Sequence, residues 1–174
     1  PRARDAAAPA RAGVAHVLQG RRVFAELSVA DNLVAGQVGS GLSRAAAARR
    51  RDEVLALLPA LSRRLAQPAG LLSGGEAQML AVGRALAGAP RLLLLDEVSA
   101  GLDPVAAGAV VDALRQVNRD GVALLVAGQP GPLAASVTAD AYVLANGAVR
   151  AHGPTPEILA GAAVAGTYLG PTTV

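Results

Sequence analysis

At 174 residues the chain has the length of a single domain, enough to bury a core of its own. An apolar content of 52% against 17% charged residues excludes a disordered polymer. All sixteen basic residues are arginine, but a net charge of only +3 and an aromatic content of 2% offer no stacking platform, so no nucleic-acid partner is expected. Zero cysteines exclude a disulfide framework and a thiolate metal site, which fits the cytoplasm. No apolar run approaches the roughly 18 residues of a membrane span. The opening PRARDAAAPARAG lacks the apolar centre of a secretion signal.

In chain order, Val14 to Leu18 reads as a short strand, followed by the polar turn Gln19-Gly20. Ser28 is an N-cap with Asp31 in the first helical turn, and Gly36 to Gly41 break that helix. Ser43 opens a longer helix to about Leu58, with Val54, Leu55 and Leu58 on its apolar face. The cluster Arg49, Arg50 and Arg51 reads as one solvated face of it. Pro59 and Pro68 bracket a short segment.

Ser73, Gly74, Gly75 and Glu76 spell a capping box at the start of a helix that buries Met79, Val82 and Leu86. The two glycines are expected to leave the first-turn amides uncovered, and a helix start with uncovered N–H groups attracts phosphate. Arg91 to Leu95 reads as a strand covered on both faces, as in parallel sheets, and it closes on Asp96 and Glu97. Carboxylates at the carboxyl end of such a strand lie where α/β sheets bind ligands. Asp96 there suits Mg²⁺, and Glu97 suits polarising an attacking water.

Asp103 and Pro104 make an N-cap and an N1 proline for a helix striped by Val110, Leu114 and Val117, with Gly108 a weak point. Val122 to Val126 is expected to be the next buried strand. Tyr142 to Ala145 and Ala148 to His152 flank Asn146-Gly147, a strong hairpin signal, and Thr155-Pro156 starts a final helix. His16 and His152 read as structural. No internal repeat and no linker is evident.

LSGGE, a helix, LLLLDE and SAGLD, all within Leu72 to Asp103, resemble the signature motif, Walker B strand and D-loop of ABC transporter ATP-binding subunits. GRRVFAELSVADNLVAG (Gly20 to Gly36), AGLLSGGEAQMLAVGRAL (Ala69 to Leu86) and TYLG (Thr167 to Gly170) resemble the branch serving branched-chain amino acid importers. The resemblance implies an α/β fold: a P-loop NTPase-like ABC ATPase core, mostly parallel sheet with flanking helices, plus a helical subdomain. It implies one nucleotide-binding domain over 1–174. The helical subdomain falls at about 26–70, the signature helix, Walker B strand, D-loop and following sheet at about 71–153, and a C-terminal helix at 154–174.

The same resemblance implies Mg²⁺-dependent ATP hydrolysis at a dimer interface, coupled to solute uptake. Asp96 and Gln19 would hold the metal, Glu97 would polarise water, and Gln19 would position it and sense the membrane partner. Ser73, Gly74, Gly75 and Glu76 would meet the nucleotide held by the opposite subunit. Ser99, Gly101 and Asp103 form the D-loop. Implied partners are transmembrane permease subunits, a second ATP-binding subunit and, indirectly, a solute-binding protein. The implied location is cytoplasmic, peripheral at the inner face of the cell membrane.

Three departures stand out. With no lysine anywhere, the chain holds no G-x-x-x-x-G-K-[ST] phosphate loop, and the N-terminal strands around it are expected to be missing too. Truncation is the expected reason, ahead of a subunit that has lost its own ATP site. The switch strand leads into Ala127-Gly128-Gln129-Pro130, so Gln129 stands, displaced by one residue, for the switch histidine or glutamine. Val98 replaces the proline usual after Asp-Glu. Two rival functions follow: a non-hydrolysing subunit or fragment that donates only the signature face to a partner ATPase, and a soluble ABC ATPase acting on DNA or ribosomes. The long insertions or paired cassettes usual in the latter are not found here.

Overall fold

The computed structural model describes residues 8–20, 22–129 and 131–161. Pro130 of the switch stretch, the TYLG motif and the rest of the terminal segment lie outside them. The chain divides into two compact units, Pro1–Gly128 and Gln129–Val174.

The first unit holds α1 (Ala8–Arg11), β1 (Val14–Val17), α2 (Val29–Ala35), α3 (Arg44–Leu57), α4 (Pro59–Ser62), a 3₁₀ turn (Ala69–Leu71), α5 (Gly74–Ala87), β2 (Leu92–Asp96), α6 (Pro104–Arg119) and β3 (Ala123–Ala127). Its sheet is parallel in the order β1-β2-β3, with Val14 opposite Leu92 and Leu92 opposite Ala123. The expected helix starts hold: Ser28 accepts from the Asp31 N–H, Ser43 from Ala46, and Asp103 from Val105 and Ala106. Each such oxygen satisfies a first-turn N–H that has no partner within the helix. Val29 and Leu33 of α2, Val54 and Leu58 at α3, and Leu80, Val82 and Leu86 of α5 form a fully buried helical core. Helix α5 also packs on β1 and α6, which places it between the helices and the sheet.

Two strand expectations are corrected. Strand β2 is fully buried on one face only, through Leu93 and Leu95, while Leu92 and Leu94 are half-covered. Strand β3 is not buried: among the described residues it is an edge strand, and Leu125 is 61% exposed. The register sets Val14, Leu92 and Ala123, then His16, Leu94 and Leu125, on the more open face. Ala15, Leu93 and Leu124, then Val17, Leu95 and Val126, share the covered one. An uninterrupted apolar run carries no alternation from which one-sided burial can be read.

The arginine cluster is corrected as well. Arg49 is solvated beside Glu53, but Arg50 Nε donates to the Leu86 carbonyl at the end of α5 (3.0 Å) and Arg51 Nη1 to Gln37 Oε1 (2.9 Å). Successive helical positions point 100° apart, so three in a row cannot share one face.

The second unit holds α7 (Pro132–Val137), the antiparallel hairpin β4 (Asp140–Ala145) and β5 (Ala148–Pro154), and α8 (Thr155–Ala160). Asn146 and Gly147 both take positive φ, 52° and 74°, as a two-residue type I′ turn requires. His152 stacks on Tyr142 across the hairpin at 4.1 Å, the structural role expected of it.

Candidate functional site

The site is built at two places in the first unit: the carboxyl ends of the sheet strands and the start of α5. The last ladder pair of β1 and β2 is Val17 with Leu95, and Gln19 follows two residues beyond it, in a turn at the carboxyl end of β1. Asp96 pairs with Ala127 of β3, and the Glu97 N–H donates to the Ala127 carbonyl (3.0 Å). Glu97 then turns into the left-handed region at φ 51°, which costs a residue with a Cβ on the order of 1–2 kcal/mol. The turn carries its carboxylate against Gly128. A Cβ on that glycine would stand 3.5 Å from Glu97 Cδ and 3.6 Å from Oε2. Val98, in place of a proline, is buried and anchors the chain just past the turn.

The loop that follows is a tight turn. The Ala100 N–H donates to the Glu97 carbonyl (3.1 Å) and the Leu102 N–H to the Ser99 carbonyl (3.3 Å), with Gly101 at φ 66°. Ser99 and Gly101 are exposed. Asp103 closes the loop by capping α6, its Oδ1 2.9 Å from the Val105 N–H and 3.0 Å from that of Ala106.

At the start of α5 the capping box is complete. Ser73 Oγ accepts from the Glu76 N–H (3.3 Å), and Glu76 Oε2 accepts from the Ser73 N–H (2.9 Å). Glu76 Oε1 meets Arg64 Nε at 3.1 Å. The backbone and side-chain bonds from Ser73 hold the Glu76 carboxyl below its ordinary value, with Arg64 adding to them. Neither cap bond uses the N–H of Gly74 or Gly75. The expectation of an uncovered first turn is nonetheless corrected for Gly75, which is buried: a Cβ there would stand 2.8 Å from Ala106 Cβ and 3.2 Å from Asp103 Oδ2. Gly75 is thus the contact point between α5 and the cap of α6.

Gln19, Asp96, Glu97 and Gly128 are therefore brought to one end of the sheet, and Ser73 to Glu76 are brought to Asp103. Gln129 opens the second unit and is exposed. Sequence reasoning missed three side chains. Arg64 braces Glu76. Asn32, fully buried, accepts from the Phe24 N–H (2.9 Å) and donates to the carbonyls of Phe24, Leu27 and Ser28. Arg84 donates to the Arg22 carbonyl and lies over the Phe24 ring at 4.7 Å. An asparagine and an arginine inside otherwise apolar helix stretches were the available signals.

The sequence model of the ABC transporter family matches residues 2–100. The chain belongs to the ABC transporter family. BraG of Pseudomonas aeruginosa, a high-affinity branched-chain amino acid transport ATP-binding protein, is 41% identical over 92% of this chain and 68% of its own length. The lipoprotein-releasing system ATP-binding protein LolD of Roseobacter denitrificans is also 41% identical, over 67% of this chain. The chain spans about half the length of that relative, 52%. Among solved structures, the ADP conformation of MJ1267, an ATP-binding cassette of an ABC transporter, superposes with a TM-score of 0.79 at 24% identity. That match covers 94% of this chain and 71% of MJ1267, and it fixes the fold: this ABC family chain carries an ATP-binding cassette architecture.

The donor set fits Mg²⁺ in part. Asp96 and Gln19 offer two oxygens at neighbouring strand ends, and Mg²⁺ commonly takes one or two protein oxygens with phosphates and waters. No group of three or more His, Cys, Asp or Glu gathers among the described residues, so they build no all-protein metal cage.

Proposed function

We propose that the chain is the signature- and Walker B-bearing part of the ATP-binding subunit of an ABC importer for branched-chain amino acids. The observation that carries this reading is the strained turn at Glu97, which sets a carboxylate beside Gly128 next to Asp96 on the central strand. Backbone strain of this kind persists where the surroundings hold it, and it clusters at functional sites.

Bound ATP and Mg²⁺ would supply the phosphoryl group and the charge neutralisation that phosphoryl transfer needs. Asp96 and Gln19 would hold the metal side, Glu97 would accept hydrogen bonds from a water, and Gln129 would stand in the switch position. The start of α5, from Ser73 to Glu76, would face nucleotide on a second ATP-binding subunit, with Ser99, Gly101 and Asp103 coupling the two sites. Permease subunits are the expected membrane partners. No helix among the described residues is long and apolar enough to cross a membrane. A peripheral place at the inner face of the membrane fits that arrangement.

Solute choice rests on the extent of similarity. BraG and LolD are equally identical, but the BraG match runs through 92% of the chain and the LolD match through 67%. Lipoprotein release is the second reading. A chimera joining a lysine-bearing phosphate loop to these residues, placed in a Pseudomonas aeruginosa strain without BraG, separates them. Restored leucine uptake is the expected result. Hydrolysis without uptake rejects the solute, and a chimera without hydrolysis rejects the ATPase reading itself.

A further inference from the structure

We propose that Arg84 is a positioning residue for Gln19: it clamps the loop that follows Gln19 and ties it to the helix that Ser73 caps. The proposal rests on the role given to Gln19 above. Helix α5 is an unbroken rod from Gly74 to Ala87, so about 16 Å of helix separates Ser73 from Arg84. At its far end the Arg84 guanidinium donates to the Arg22 carbonyl and covers the Phe24 ring, with Cζ 4.7 Å from the ring centroid. Phe24 is gripped a second time through its backbone, whose N–H and carbonyl both bond to the buried side chain of Asn32 on α2.

The chemistry makes this clamp sensitive to loop position. Partial burial removes some water from the guanidinium and lowers its affinity for the proton. The described partners that replace the water are a carbonyl and an aromatic face, both supplied by the loop. If the loop withdraws, the charge loses both at once while its apolar stem stays packed, so loop and helix favour moving together. Gln19 lies three residues before Arg22. A motion of the loop that follows Gln19 therefore reaches the signature helix through Arg84, and the reverse holds by reciprocity.

The test uses Arg84→Met, which keeps the stem and removes the charge, and Arg84→Lys, which keeps the charge but not the planar fork. Hydrogen exchange on the chain should show the Phe24 and Leu27 amides of Arg84→Met exchanging about tenfold faster, with the amides of α3 and α5 unchanged. In a transporter assembled with the chimera that carries a lysine-bearing phosphate loop, kcat should fall about tenfold with the KM for ATP held, and Arg84→Lys should recover part of both effects. Gln19→Ala should lower kcat similarly, and adding Arg84→Met to it should lower it little further, since the two act in one chain of contacts.

Multiplying effects in the double variant, or a kcat loss accompanied by faster exchange throughout α5, would reduce Arg84 to a stabilising residue. Normal kcat in every Arg84 variant of an active transporter overturns the positioning role alone. A transporter that hydrolyses no ATP before any substitution overturns the reading of Gln19 and this role with it.

Discussion

Glu97 combines a backbone cost with the acid–base role proposed for it. Its positive φ is unfavourable for any residue with a Cβ, so the carboxylate is held where the β2–β3 ladder puts it. Glu97→Gln keeps side-chain shape and backbone strain but removes the charge. In a chimera with a phosphate loop, phosphate release should fall by about 10²-fold or more while nucleotide binding survives. Near-normal turnover would take Glu97 out of the reaction. Glu76 is a different case, a carboxylate that closes the cap of α5 and pairs with Arg64. Its folded carboxyl is held below the ordinary glutamate value of 4.5, so it contributes stability above that pH. That contribution is lost as pH falls through the lower folded value. Thermal melts of the chain should steepen in their pH dependence below 4.5, and Glu76→Gln should flatten that limb.

Helix α5 is the element on which the site turns. Ser73→Ala removes a cap at a cost of about 1 kcal/mol. If Ser73 also meets nucleotide on a second subunit, the variant should impair hydrolysis at the partner's site in a mixed complex. A loss of melting temperature with hydrolysis untouched at both sites would leave Ser73 a cap only. Two helical glycines separate packing from propensity. A methyl on Gly75 would collide with Ala106 at 2.8 Å, so Gly75→Ala should destabilise by about 1–3 kcal/mol. A methyl on Gly108 meets open space, so Gly108→Ala should stabilise by about 0.5–1 kcal/mol through helix propensity. Urea titration of the two variants measures the contrast, and equal shifts would contradict the close approach of α5 to α6.

On the scale of the molecule, these 174 residues by themselves should neither bind ATP tightly nor hydrolyse it. A phosphate cradle needs a ring of amides and a lysine, and the chain has no lysine. One helix start contributes about 0.3–1 kcal/mol per charge contact, whereas micromolar affinity requires about 8 kcal/mol. The more open sheet face through Leu94 and Leu125 and the edge of β3, unpaired among the described residues, should also drive self-association. Titration calorimetry with Mg·ATP on monodisperse protein checks the first point, and light scattering the second. A micromolar dissociation constant with phosphate release would demand a cradle among residues not recognised here.

The sequence by itself determined the helix starts at Ser28, Ser43, Ser73 and Asp103, the hairpin turn at Asn146-Gly147 and the family motifs. The helix starts and the turn follow local rules, the caps set by a side chain within three residues of the N–H it satisfies and the turn by residues that tolerate positive φ. Only the tertiary structure decided that β2 is covered on one face, that β3 is an edge, and that Arg50 and Arg51 reach across to other elements. It alone brought Glu97 against Gly128, Gly75 against Ala106 and Arg84 over Phe24, pairs 31, 31 and 60 positions apart by subtraction of their residue numbers. Contacts at that separation are set by how layers pack, and no periodicity within a single element encodes which residue of another it will meet.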